Sequence, residues 1–216
     1  MLPIPQPTPI YRLVHVGNLG ILLRRRGLHS ANHTPKDGEV YRTIHREDVQ
    51  GKRRTVDVPR GPRGTIHDYV PFYFGYRSPM LLQLKTGQVT GYSEGQEPLI
   101  YLATTCQRVV SAGGQFVFSD GHGLAKFTDW FDDLADLSRV DWGMVYQQYW
   151  ADSENDMDRQ RRKQAEFLVY RECHWDWIEE IGVLNAAARA RVENELAGHD
   201  AALTRPVLIR PGWYYP

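Results

Sequence analysis

Cysteine is scarce in this chain of 216 residues: Cys106 and Cys173 are the only two. Two thiols cannot build the disulfide framework of a small secreted domain. Long apolar runs are missing, and none approaches the roughly 20 residues that a membrane-spanning helix needs. The first residues, MLPIPQPTPIYR, hold no basic stretch followed by an apolar one, so they do not read as a signal peptide. A cytoplasmic protein with no membrane contact is expected. Net charge is also lacking, because 26 Lys plus Arg balance 26 Asp plus Glu. That balance excludes a uniformly basic coat for nucleic acid. There is no Walker loop, GxSxG elbow or dinucleotide GxGxxG turn. Without an HExxH helix or a Cys pair, no metal is expected. What remains is 42% hydrophobic residues, enough for a core and too many for compositional disorder.

The zero net charge hides blocks. Residues 129–158 carry nine acids against one base, Arg139. Arg159, Arg161, Arg162 and Lys163 follow directly, and two further basic clusters lie at 24–26 and 52–54, with Arg60 and Arg63 near the second. Such blocks can be solvated faces, or can meet in space as a local phosphate-binding surface.

Periodicity and punctuation predict one α+β domain over 1–216, with no repeat and no linker. Strands are expected at 10–15, 68–74, 99–104, 115–118, 165–170 and 207–210. Pro71 marks an edge or a bulge in the second of these. Helices are expected over 19–26 with Asn18 as cap, near 44–54, at 106–112 capped by Thr104 or Thr105, over 124–137, over 140–149, near 175–181 and over 186–197. Residues 32–65 otherwise read as a long loop, which in a compact domain is usually functional or disordered.

The segment Gln164-Ala-Glu166-Phe-Leu-Val-Tyr170 holds the most chemistry. Strand alternation puts Gln164, Glu166, Leu168 and Tyr170 on one face and Phe167 and Val169 on the other. A carboxylate in so apolar a run needs a partner or a ligand. The partner could be one of Arg161 to Lys163. Arg53 could clamp a phosphate through bidentate hydrogen bonds or sit on a solvated helix face. Adjacent helical residues point about 100° apart, so Arg53 and Arg54 cannot both face one cleft. His122, in Ser119-Asp-Gly-His-Gly123, lies on a turn where small residues would let a ligand approach. Aromatic residues near the basic clusters are either core or a stacking surface for single-stranded nucleic acid. Trp150, beside the acidic loop, is the one expected to be free.

The order of these pieces resembles the DarT family, the toxins of DarT–DarG toxin–antitoxin systems. The residues that carry the resemblance are Thr8-Pro-Ile-Tyr-Arg-Leu-Val-His15 with Asn18-Leu19; Lys52-Arg53; His67-Asp-Tyr-Val-Pro-Phe-Tyr-Phe74; Ser78-Pro-Met80; Phe116-Val-Phe-Ser-Asp-Gly-His122; Asp141-Trp142; Gln164-Ala-Glu166; and Gly212-Trp-Tyr-Tyr215. They span nearly the whole chain.

The resemblance implies an ADP-ribosyltransferase-like split mixed β-sheet with flanking helices around an NAD cleft. It implies transfer of ADP-ribose from NAD, as substrate, to thymine in single-stranded DNA, with nicotinamide released and DNA replication blocked. Glu166 and Arg53 would be catalytic. Arg12, Leu13, Val14, His15, Ile21, His29 and Arg53 would hold NAD. Tyr73, Met80, His122, Trp150 and Arg159 would meet the DNA, within or near a target-recognition loop of roughly 122–165. A DarG-like macrodomain antitoxin would be the partner, and a monomer is expected. Where the family often has His-Ile-Thr-His on the first strand, this chain has Arg12-Leu-Val-His15, so Arg12 replaces an imidazole.

Two other readings compete. One is a non-catalytic single-stranded nucleic-acid-binding module, for which the Gln-x-Glu strand has no use. The other is a metal-assisted nuclease using Asp120, His122 and Asp68.

Overall fold

The computed structural model describes residues 3–216. Ten strands run in chain order: β1 (Pro9–His15), β2 (Gly27–His29), β3 (Tyr69–Tyr73), β4 (Leu99–Thr105), β5 (Phe116–Ser119), β6 (Trp130–Phe131), β7 (Glu166–Tyr170), β8 (Glu172–His174), β9 (Glu180–Val183) and β10 (Val207–Ile209). The α-helices are α1 (Leu19–Arg24), α2 (Glu47–Arg53), α3 (Pro79–Lys85), α4 (Cys106–Ser111), α5 (Trp142–Val145), α6 (Arg159–Lys163) and α7 (Ala186–Ala197). Eight strands form one sheet in the order β10-β9-β4-β1-β3-β7-β5-β6, while β2 and β8 pair separately. The β9–β10 pair is parallel and the other pairs of the large sheet are antiparallel. The sheet is therefore mixed.

It is also split. β1 pairs with β4 over seven positions but meets β3 only at Tyr11↔Tyr73. β3 instead follows β7 from Tyr69↔Tyr170 to Tyr73↔Glu166. Pro71 faces this gap, where its missing N–H breaks no ladder. The expected edge is thus an internal one, on a strand in the middle of the sheet. Arg12 spans the gap instead, donating from Nη1 to the Pro71 carbonyl at 2.9 Å.

Packing follows the split. One face is continuous: Ile10 and Val14 of β1, Val70 and Phe72 of β3, and Phe167 and Val169 of β7 share a core with Leu22 of α1 and Val192 of α7. The opposite face is divided. Tyr11, Leu13 and Tyr101 pack with Leu81 and Leu84 of α3, whereas Tyr69, Val117 and Leu168 pack with Val58 and Ile66. Burying aliphatic and aromatic side chains at about 25 cal/mol per Å² makes these the main stabilising contacts. Glu166 and Tyr73 belong to the divided face, opposite Phe167 and Phe72, as alternation requires.

Several expected helices are absent. Residues 124–137 form turns and the strand β6, then a 3-10 helix over Leu134–Arg139. Acidic side chains capture the backbone N–H groups that a helix would need: Asp120 accepts from Asp129 N, and Asp133 accepts from Ala135 N. Phe127 points to solvent at 86% exposure, so the aromatic spacing there is not one buried face. The helix over 140–149 shrinks to α5, capped by Asp141. Near 175–181 there is a 3-10 turn, Trp175–Trp177, followed by β9, whose Ile181 and Val183 join the core. Gln164 lies at the end of α6, not on the strand. Asn18 does not cap α1; its amide clamps both backbone polar groups of Arg42. Thr105, not Thr104, caps α4.

Candidate active site

Two cavities open where the sheet splits. The first, of about 360 Å³, is lined by residues 12–14 of β1, by His29 and Ser30 after β2, by 41–45, and by Ile66, His67 and Tyr69. The second, of about 440 Å³, is lined by Tyr73, Pro79, Met80, Gln83, His122, Met157, Gln160, Arg161, Gln164 and Glu166, among others. Both volumes suit small-molecule sites. Arg12, Leu13, His45, Gln50, Arg53 and Pro71 line both cavities and so form a common wall.

The wall is held by an ion pair. Arg53 donates from Nη1 to Glu166 Oε1 at 2.9 Å and from Nη2 to Oε2 at 3.1 Å. Both residues are buried, at 6% and 1% exposure. The carboxylate's partner is therefore Arg53, not the neighbouring Arg161 to Lys163. Lys52 and Arg54 are exposed on either side of Arg53, so one member of the cluster faces inward, as helical geometry requires. Burial opposes the Arg53 charge, but the attraction and hydrogen bonds of Glu166 outweigh it and raise the Arg53 pKa.

The turn at 119–123 braces Glu166 from behind. Ser119 Oγ accepts from Glu166 N at 3.3 Å and donates to the Gly121 carbonyl at 2.7 Å. A Cβ on Gly123 would stand 3.1 Å from Ile66 Cδ1 and 3.3 Å from Glu166 Oε2. A Cβ on Gly121 would stand 2.5 Å from Arg161 Nη1. The small residues of this turn thus admit Arg161 and the glutamate. His122 N–H bonds the Arg161 carbonyl, and its ring Nδ1 accepts from Leu124 N at 3.3 Å. Burial lowers the His122 pKa, with the Arg53 charge adding to this and Glu166 opposing it. The shift favours the neutral imidazole.

The basic block at 159–163 is spent inside the protein. Arg161 pairs with Asp120 and Asp158, and Arg162 with Asp141, Asp156 and Asp158. The buried Lys163 ammonium donates to the Val145 and Tyr76 carbonyls at 2.6 and 3.2 Å. The cluster at 24–26 is drawn on in the same way: Arg24 pairs with Glu39 and Arg25 with Asp37.

Of the residues expected at the site, Arg12, Leu13, Val14, His29 and Arg53 line the first cavity, and Tyr73, Met80, His122, Arg53 and Glu166 the second. Four lie elsewhere. His15 turns away: its Nδ1 accepts from Gly17 N and caps the 3-10 turn Val16–Asn18. Ile21 is buried on α1, and Asn18 and Leu22 reach the cavity in its place. Trp150 is half-buried and donates from Nε1 to Tyr215 Oη at 2.8 Å, so it is not the free aromatic. Arg159 binds the Tyr149 carbonyl at 2.6 Å, while Gln160 and Arg161 line the cavity. Sequence reasoning missed Gln50 and His45. Gln50 stands one turn before Arg53 on α2, and that i, i+3 spacing was the available signal.

Asp120, His122 and Asp68 do not assemble a metal centre. Asp120 is paired with Arg161, and Asp68 closes a capping box with Thr65. Among the described residues, no group of three or more His, Cys, Asp or Glu side chains could hold a metal ion. Nor is any helix there long and apolar enough to cross a membrane.

Comparison with known proteins places this geometry. The structure of Thermus sp. 2.9 DarT in complex with ADP-ribosylated ssDNA matches with a TM-score of 0.92 and 39% identity, over 99% of each chain. The same protein in complex with NAD+ matches at 0.88 and 38%, over 99% of this chain and 100% of that one. The split sheet with a glutamate opening β7 is the fold of an ADP-ribosyltransferase. A DNA ADP-ribosyl transferase of Thermus sp. (strain 2.9) is 40% identical over 211 residues, 98% of each chain. The family profile described as "ssDNA thymidine ADP-ribosyltransferase, DarT" matches residues 11–215. The chain belongs to the DarT family.

Proposed function

We propose that this protein transfers ADP-ribose from NAD to thymine in single-stranded DNA, with NAD in the first cavity and the target strand in the second. The observation that carries this reading is the common wall. A dinucleotide on one side and a base on the other would meet at Arg53, which lines both cavities and holds Glu166 of the second. The first cavity also suits a polar ligand. Arg12 Nε, His29 Nε2 and Tyr41 Oη are buried there without hydrogen-bond partners, and buried polar atoms normally have them. Leu13, Val14 and His29 would hold NAD, with Arg12 at the wall between the dinucleotide and the base.

The chemistry fits the side chains. The C1′–N bond to nicotinamide breaks through a state with cationic character on the ribose. Glu166 supplies the opposing charge and an acceptor for the 2′-hydroxyl. Nicotinamide leaves a cationic ring as a neutral molecule, so no general acid is required. Arg53 stays protonated and cannot act as a base; it orients Glu166 and binds the incoming base. His122, with Nδ1 taken by Leu124, presents Nε2–H to the second cavity as a donor. Tyr73 and Met80 complete the contacts to the target strand.

A base within a duplex is stacked, with its pairing edge occupied. Single strands are therefore the substrate. An adduct on the pairing edge blocks template copying, and a DarG-like macrodomain that removes ADP-ribose is the fitting antitoxin. The protein acts as a monomer in the cytoplasm, in one domain over 1–216.

The test is to incubate protein, NAD and an oligonucleotide with one thymine, and to weigh the oligonucleotide. The single strand should gain one ADP-ribose. Annealing its complement should suppress the gain, and an unpaired bubble at the thymine should restore part of it. Equal modification of duplex and single strand, or preferential modification of protein, would overturn this function.

A further inference from the structure

Charge at the common wall does not balance. Two guanidinium groups, Arg12 and Arg53, face one carboxylate, and Arg53 occupies both oxygens of Glu166. Arg12 spends Nη1 on the Pro71 carbonyl, while its Nε is buried with no partner. The other titratable groups that face it are two phenols, Tyr73 on β3 and Tyr41 on the long loop, and the His45 imidazole, none of which is an anion that could balance it. Burial and Glu166 push the Tyr73 hydroxyl up to about 12, so it offers no anion at neutral pH. Burial and the Arg53 charge lower the Arg12 pKa, yet an arginine keeps its proton at neutral pH. Arg12 is half-buried, and a cation partly withdrawn from water without a counter-ion of its own is costly; the cost is offset where negative charge arrives. Because Arg12 lines both cavities, it reaches the acceptor base as well as the dinucleotide.

We infer that Arg12 is a further catalytic residue, whose guanidinium stabilises the negative charge that builds on the thymine imide as its N–H proton departs. The inference rests on the proposed function. In the step, the imide nitrogen bonds to C1′ of the ribose. The C1′–nicotinamide bond breaks with its electron pair going to nicotinamide, and the imide proton passes to water. Charge on the base exists only along this path, so Arg12 acts on kcat. A residue that merely held the NAD pyrophosphate would bind ground state and transition state alike and act on KM.

The acidity of the acceptor base separates these roles. Two single-stranded oligonucleotides are compared, one bearing thymine and the other 5-fluorouracil at the target position. Fluorine withdraws electrons and makes the imide more acidic, so the second base needs less help. In Arg12→Gln, kcat on thymine should fall at least tenfold while KM for NAD stays within threefold. The loss should shrink severalfold on the fluorinated base, and Arg12→Lys should recover part of the rate. Should Arg12→Gln fail to fold, Arg12→Lys carries the same comparison between bases. An equal loss on both bases, a loss confined to KM for NAD, or an unchanged kcat would overturn the inference and leave the transferase reading standing. A wild-type protein that modifies neither oligonucleotide would overturn the transferase reading itself.

Discussion

Arg53 and Glu166 stand 113 positions apart in the chain and share two hydrogen bonds in a buried fork. The pair ties α2, the one α-helix of the long 32–65 segment, to the first residue of β7. In the proposed function its members are chemical as well as structural, and their variants must be read on both scales.

Glu166→Ala should abolish ADP-ribose transfer. It should also destabilise the protein by about 3–5 kcal/mol, because Arg53 is left buried and unpaired. Glu166→Gln should lose transfer with a smaller fall in stability, since an amide oxygen still accepts from Arg53. The double variant Arg53→Met/Glu166→Leu should be more stable than Glu166→Ala. Oligonucleotide mass and urea unfolding check these outcomes, and a Glu166→Ala protein with wild-type turnover would remove the carboxylate from the chemistry.

Arg53→Ala should cut turnover strongly, whereas Arg54→Ala should leave it within about twofold. Arg53 is buried against Glu166 and Arg54 is exposed. Rates from matched preparations decide this, and similar losses in both variants would mean a diffuse basic surface.

Trp150→Ala should lower the melting temperature and leave oligonucleotide affinity unchanged. Its indole donates to Tyr215 Oη, which donates in turn to the Arg77 carbonyl at 2.5 Å. Breaking that chain costs roughly 1–3 kcal/mol. A loss of affinity without a loss of stability would return Trp150 to the DNA surface.

Lys163 gives stability a pH signature. Burial, aided by the Arg77 charge, lowers its pKa from 10.5 to about 8. Below pH 8 both folded and unfolded chains hold the proton, and the folded state bears the full penalty of an enclosed ammonium. Between pH 8 and 10.5 the unfolded chain binds more protons, so this penalty is relieved and stability rises. Stability of the wild type minus that of Lys163→Met should therefore increase across this window, by at most about 3 kcal/mol. Denaturant titrations of both proteins at pH 7 and pH 10 measure it, and a flat or falling difference would contradict the assignment.

Much of this was legible in the residue order. The strand at 165–170 reads from its apolar run, and a carboxylate inside it announces a site. Arg53 reads from the resemblance, and the helix at 186–197 from its composition. The stretch 124–149 misleads because its aspartates bind backbone N–H groups, which local periodicity cannot register. Ion pairing hides the fate of the 159–163 block: the same arginines that look ready for phosphate are consumed by Asp120, Asp141, Asp156 and Asp158. His15 and Trp150 stand outside both cavities because a single bond to Gly17 or Tyr215 fixes each ring, and no spacing rule encodes that bond.

The common wall has a consequence for how the reaction ends. With NAD in the first cavity and the target strand in the second, as proposed, a strand carrying ADP-ribose would occupy both at once, its base on the Met80 side and its nucleotide on the His29 side. Such a product would have to withdraw from two sites together, whereas each substrate would enter through one. Departure of the modified strand should then be slower than the chemistry, with a burst of one adduct per enzyme ahead of a slow steady state. An enzyme so constructed would linger on each lesion it makes.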